Sequence, residues 1–375
     1  MSTLAVDAIV DSSNGNTATI NGATPTAYNT MGKNRIINGA MEIDQRNAGA
    51  SVTGAVGVVY SVDRFHIVST VASKLTAQQS STAPTGFSNS LLITSSSAYA
   101  VSSSDYFAIQ QRIEGFNFSD LSWGTANAKT VTLSFWVRSS LTGTFGGAFI
   151  NSANDYGYPF TYTISSANTW EQINITVIGP TSGTWVGATN GIGVAVRFGL
   201  GVGSTASFTA GSWTNNTVWS ATGATSVVGT SGATFYITGV QLEVGSVATE
   251  FERRPFGMEL ALCQRYFEKS YALGTAVGSA TFDGLASSSG ISLTTSYLGN
   301  INTNFAVTKR AAPTVTLYDS DGNSGKCARS VLGGSYSTNQ SVASSWIGEG
   351  TFSAYSSGST NSALIACHWT ASSEL

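Results

Sequence analysis

Along most of the chain, apolar residues recur at every second position. In Thr130–Arg138, Val131, Leu133, Phe135 and Val137 share one face; Ile173, Ile175 and Val177 do so in Ile173–Ile178, and Val194, Val196, Phe198 and Leu200 in Gly193–Leu200. A period of two marks a half-buried β-strand. Turn clusters such as TGTFGG, GPTSGTW and TSGAT separate these runs. Many strands with turn signals between them predict a sandwich or jelly roll. In Phe235–Val244 the alternation changes phase: Phe235 and Ile237 precede Gly239, and Val240, Leu242 and Val244 follow it. A β-bulge at Gly239 is the simplest cause. Residues Phe198–Leu242 carry no charged side chain and hold Trp213 and Trp219, in a long decorated loop or in short strands joined by loops.

One segment has a different period. In RRPFGMELALCQRYFEKSY, Phe256, Leu260, Cys263 and Phe267 fall at i, i+4, i+7 and i+11, one apolar stripe of a helix. Pro255 suits a first turn, Glu259 lies early, and Arg265 and Lys269 lie late, in accord with the helix dipole. After Tyr271, strand patterns resume in ISLTTSYLGNI, TVTLY and ALIACHW. The class is therefore all-β, in four parts: an N-terminal arm (1–33), a large jelly-roll β-sandwich (34–252), a linking helix (253–271) and a smaller C-terminal β-sandwich (272–375). Leu4, Val6, Ala8 and Val10 alternate in the arm. The arm is too short to bury a core of its own, so it packs on a partner or on sister chains.

Composition narrows the function. Charged residues make up 10% of the 375 positions, against roughly 25% in a typical soluble domain. Hydrophobics at 42% and aromatics at 11% supply real cores. The polar remainder is mostly Ser, Thr, Asn and Gly, which makes the fold insensitive to salt and suits work outside a cell. A net charge of −3 with no basic block gives no footprint for nucleic acid. No apolar run reaches the ~18 residues of a membrane helix, and MSTLAVDAIVDSS lacks the features of a signal peptide.

Chemistry-bearing constellations are few. His66 and His368 both lie in strand patterns, so neither a catalytic triad nor a histidine metal site is expected. Cys263, Cys327 and Cys367 form neither a disulfide framework nor a zinc site. Cys327 pairs with Cys367, or all three are free buried thiols. In DSDGN, Asp319–Asn323, the positions that a calcium loop fills with Gly and Glu hold Ser324 and Ser330, which leaves a hairpin turn around Asp321-Gly322. GLGVGS, Gly199–Ser204, lacks the Lys of a phosphate loop and reads as a strand end and turn. No cofactor is called for. Tyr156, Tyr158, Trp213, Trp219, Tyr336, Trp346 and Tyr355 lie among Ser, Gly and Asn. Flat rings with adaptable hydrogen bonders suit sugars; otherwise each ring caps a core.

One further stretch concentrates charge. NRIINGAMEIDQRN, Asn34–Asn47, holds Arg35, Glu42, Asp44 and Arg46. KNRIINGAMEIDQRN and the following YSVDRFHI resemble the entry to a domain common in tail fibres of tailed bacteriophages and related receptor-binding virion proteins. The resemblance continues in order through LSFWVRSSLTGTF, TWEQINITVIGPTSGTW and FYITGVQLEVGSVATEFERRPFGMELALCQRYFEKSY, over Lys33–Tyr271, and WTASSEL is similar to the end of such fibres. It implies a structural, adhesive, non-enzymatic homotrimer with a jelly roll like carbohydrate-binding modules. The arm would bind other tail or adaptor proteins of the virion, and the chain would be assembled in the host cytoplasm and exposed on the particle. The expected function is adhesion to host-surface glycan through Tyr336, Trp346 and Tyr355, or through Trp213 and Trp219. A capsid-decorating or adaptor fibre without receptor role is the second reading, and a glycan-cleaving tailspike the third. In a trimer, Phe256, Leu260, Cys263 and Phe267 would form core, and Arg35, Glu42, Asp44 and Arg46 would fix register between chains or form a local surface cluster.

Overall fold

The computed structural model describes residues 32–288, 298–331, 336–356 and 362–375. The arm, apart from its last two positions, lies outside the described residues. Fourteen strands belong to the first sandwich: β1 (Val52–Thr53), β2 (Gly57–Tyr60), β3 (His66–Ser69), β4 (Leu75–Ser80), β5 (Ser90–Ser95), β6 (Tyr106–Glu114), β7 (Val131–Ser139), β8 (Gly143–Ile150), β9 (Gly157–Ile164), β10 (Glu171–Val177), β11 (Ile192–Val202), β12 (Ser207–Phe208), β13 (Ser220–Ala221) and β14 (Thr234–Val244). Two six-stranded antiparallel sheets face each other, ordered β1-β4-β5-β14-β7-β10 and β2-β3-β6-β11-β8-β9. This is a jelly-roll sandwich.

The alternation read from the sequence is the cause. Val131, Leu133, Phe135 and Val137 of β7 are buried, as are Val194, Val196, Phe198 and Leu200 of β11. They meet between the sheets, where the Phe135 and Phe198 rings stand edge-on with centroids 5.1 Å apart. The phase change in β14 is a bulge: its register against β7 shifts between Thr238 and Gln241, and Gly239 has φ +60°. A Cβ there would lie 2.7 Å from the Phe87 ring, so close approach and backbone both favour glycine. Within the charge-free stretch, β12 and β13 pair in parallel. With Val218 and Trp219 they cover the outer face of the second sheet, over Ala108, Ala148 and Ala195.

The helix is shorter than the 253–271 span. Helix α1 (Phe256–Gln264) follows Pro255 and stops because Phe267–Lys269 forms strand β15, paired with the chain's last strand. Phe256, Leu260, Cys263 and Phe267 therefore do not form one stripe: Cys263 and Phe267 are buried, Leu260 is half-buried and Phe256 is 49% exposed. The helix packs on Ile37, Ile43 and Tyr266 of its own chain.

In the C-terminal sandwich β15 precedes β16 (Ala286–Ser287), β17 (Leu298–Asn304), β18 (Thr314–Tyr318), β19 (Lys326–Val331), β20 (Tyr336–Ser341), β21 (Ala343–Ser345), β22 (Thr351–Ser356) and β23 (Ser362–Ser372). Strand β23 is the spine and pairs with β15, β16, β18 and β19; β17-β22-β21 forms the facing sheet. Phe305, Phe352 and Trp369 fill the core between them. Cys263, Cys327 and Cys367 are free and buried. The Asp321-Gly322 turn is present: Gly322 donates its N–H to the Asp319 carbonyl at 3.1 Å, and its φ is +86°.

Candidate ligand-binding site

The aromatic candidates have different fates. Trp219 is 7% exposed and stacks on Tyr106, with centroids 3.9 Å apart. Its other partner is Arg197, whose guanidinium lies 3.6 Å from the ring centroid. That guanidinium donates to the Val218 carbonyl at 2.7 Å and to Asn154 Oδ1 at 2.5 Å. Burial pushes Arg197 down to about 9. Trp219 is thus the lid of a buried polar layer and offers no face to a sugar. A tryptophan in a charge-free loop suits the surface by composition, but here the loop folds back and buries the ring.

In the C-terminal sandwich the expected trio is divided between two sheets. Tyr336 opens β20, paired with β19, and its side chain lies outside the described residues. Tyr355 is half-buried on β22, opposite Ala343 of β21. Trp346 follows β21 directly and is 79% exposed. Its backbone is left-handed, with φ +47°, which costs an L-residue about 1–2 kcal/mol. The next residue, Ile347, packs on the core, and Gly348 donates to the Thr351 carbonyl at 2.8 Å. An anchored turn therefore holds a bulky apolar ring in water at a strained position, a combination that points to use of the ring.

Trp213 belongs to a cluster at one end of the first sandwich. The Tyr156 ring stacks on it at 5.6 Å, the Tyr158 ring lies at 5.3 Å and the Trp185 ring crosses it at 5.6 Å. Trp123 closes the cluster from beneath and is buried. The other four rings are half-buried. In the sequence Trp185 ends the turn cluster GPTSGTW, and a tryptophan in a turn is the one signal of it there.

The charged stretch finds partners in its own chain. Arg35 Nη2 pairs with Asp120 Oδ2 at 2.7 Å. Arg46 lies 3.5 Å from Asp63 and 2.9 Å from Glu374, between the rings of Tyr60 and Phe267. Asp44 accepts the N–H groups of Asn47 and Gly49; burial nevertheless raises its pKa. Glu42 is also raised, by burial and then by nearby Glu259. It lines a cavity of about 20 Å³ with Glu259, Arg253 and Arg254, room for about one water and far too small for a sugar ring. Among the described residues, no group of three or more His, Cys, Asp or Glu is placed to hold a metal, and no helix is long and apolar enough to cross a membrane.

No family model matches the chain, and no curated protein does. Solved structures resemble it distantly. A protein from Bacteroides thetaiotaomicron, described as a "putative sugar binding protein", is 13% identical over 56% of this chain and 100% of its own, with a TM-score of 0.34. The family 11 carbohydrate-binding module from Clostridium thermocellum, in complex with a β-1,3-1,4-mixed-linked tetrasaccharide, is 13% identical over 52% and 100%, at 0.28. The enzymatically active domain of tailspike protein 4 from bacteriophage CBA120 is 13% identical over 57% of this chain, at 0.28, and this chain spans only 22% of it. Likeness this distant decides nothing about ligand or reaction.

Proposed function

We propose that the chain is a bacteriophage tail-fibre component that adheres to host-surface glycan through its C-terminal sandwich. The carrying observation is Trp346, a 79% exposed indole fixed in a left-handed turn. The turn holds the backbone that presents the indole, and the flat ring stacks on the C–H face of a sugar. The Ser-rich hairpin around it supplies hydroxyls, and Glu349 is the one charge between Tyr336 and Tyr355. A single ring binds weakly; three copies on a fibre, and several fibres on a particle, make such contacts useful. In this reading the protein is a homotrimer that is not an enzyme, resides on the virion, and engages other virion proteins through residues 1–33. The resemblance of Lys33–Tyr271 to tail-fibre blocks supports that setting.

The test is adsorption of purified protein to host cells and to a glycan array. Trp346→Ala should retain its melting temperature and lose most adsorption. If this variant adsorbs normally, the site is elsewhere. If the unaltered protein binds neither cells nor glycans, the decorating or adaptor fibre takes its place; shortening of the glycan would instead reveal a tailspike.

A further inference from the structure

We infer that the open end of the first sandwich carries a second saccharide platform, made by the faces of Tyr156, Trp185 and Trp213 and selective for neutral sugars. The inference deepens the glycan-binding reading and rests on it, but places the site in the other sandwich. Three loops build the platform. Residues 151–157 supply Tyr156, 179–190 supply Trp185, and 211–217 supply Trp213. They are tied together: Gly157 and Thr214 exchange both backbone hydrogen bonds, at 3.0 and 2.9 Å, and Asn151 donates to the Thr184 carbonyl at 3.1 Å.

The indole edges are already committed. Trp213 donates its N–H to the Ile178 carbonyl at 2.9 Å, Trp185 to Ser182 at 3.1 Å, and buried Trp123 to Lys129 at 2.8 Å. What stays accessible on the two half-buried indoles is ring carbon, the part that meets sugar C–H groups. Ile178, whose carbonyl holds Trp213, is itself 75% exposed. Around the rings the rim is polar and exposed, with Asn154, Asp155, Thr184 and Thr217. A protein partner large enough to bind stably would need a wider apolar area, whereas a ring with hydroxyls at its border fits face and rim together. Selectivity follows from charge. Asp155 is the only charged residue in the three loops, so they offer an acidic sugar no cation and would repel it at Asp155. Gly183 keeps the platform tight: a Cβ there would lie 2.5 Å from the Tyr156 ring.

The test uses the full chain labelled with 5-fluorotryptophan, its eight tryptophan signals assigned by substitution. It is titrated with neutral gluco- and galacto-oligosaccharides and, separately, with sialyllactose. The Trp185 and Trp213 signals should move with the neutral sugars, in wild type and in Trp346→Ala alike, and should not move with sialyllactose. Tyr156→Ala, at a half-exposed position, should weaken binding about three- to tenfold. If it misfolds, Tyr156→Leu, which keeps apolar volume but removes the flat ring, provides the second variant and should weaken binding likewise. Silent Trp185 and Trp213 signals beside a moving Trp346 signal would overturn this platform and leave the distal site standing. Silence at all three would overturn both, and a shift with sialyllactose alone would overturn the neutral selectivity.

Discussion

Arg46 and Glu374 stand 328 positions apart and meet through Nη2 and Oε1 at 2.9 Å. Glu374 also pairs with Arg64, and Arg112 donates to the Leu375 carbonyl. Arg46, with Arg64 and Arg112, is therefore a staple that fastens the end of the C-terminal sandwich to the first one. Its salt bridges are largely desolvated, so removing one partner leaves the other charge buried and unpaired. Glu374→Gln and Arg46→Ala should each cost about 3 kcal/mol in denaturant unfolding. Arg46→Lys should not restore the loss, because an ammonium cannot replace a guanidinium plane between two rings. A change below about 0.5 kcal/mol would mean that the staple does not couple the sandwiches.

Acid stability should reflect two opposed groups. Burial and then the surrounding Arg112, Arg64, Arg197 and Arg46 hold His66 well below 6.5. In the unfolded chain it binds a proton near 6.5, so stability is lost as pH falls below that value. Asp63 is raised to about 6, chiefly by burial, against the pull of Arg46 and Gln45. Its unfolded value lies near 3.9, so the folded state holds the extra proton between about 4 and 6, and stability rises as pH falls through that window. His66→Gln should flatten the acid loss below pH 6.5, and Asp63→Asn should remove the opposing gain. Melting temperatures across pH 4–8 check both; identical profiles in wild type and His66→Gln would contradict the first.

Two tryptophans expected to do one job should separate cleanly. Trp219→Ala removes the lid over Arg197 and should cost about 3–5 kcal/mol. Trp346→Gly relieves the left-handed turn and should stabilise by about 1 kcal/mol while abolishing adsorption. Thermal unfolding and cell adsorption measured on the same preparations test the pair. Destabilisation by Trp346→Gly would show that the ring serves the fold.

Glycine at the bulge should be required. Gly239→Ala combines a left-handed φ with contact against Phe87 and Trp136. The cost should be about 2 kcal/mol, because the Phe87 ring can yield in part. An unchanged denaturation midpoint would show that the bulge relaxes.

The thiols should be silent in the native protein. All three are buried; burial, with a lesser contribution from Cys327, raises Cys367 to about 12. Thiolate is the reactive form. An aromatic disulfide reagent at pH 8 should label none of them in the folded protein and three after denaturation. Two fewer than three after denaturation would indicate a bridge between Cys327 and Cys367.

The sequence alone determined several strands of the first sandwich. Val131–Val137 and Val194–Leu200 alternate because one face of each strand meets the core between the sheets, a local pattern; that β11 is buried on its other face as well, under Val218 and Trp219, was not legible in it. The Gly239 bulge was legible because it too is local, a slip in a period of two. The 19-residue helix was not, since Phe267 belongs to a strand only through its pairing with Ser372, about a hundred positions away. Distance along the chain also hid the partners of Arg46, which lie at Asp63 and Glu374. The aromatic candidates show the same division. Composition put Trp213, Trp219 and Trp346 in similar neutral loops, but whether a ring lies under a folded-back loop, in a shared cluster or alone in water depends on how distant loops pack. Sequence fixes which faces are apolar; tertiary contacts decide which of those faces remain open to a ligand.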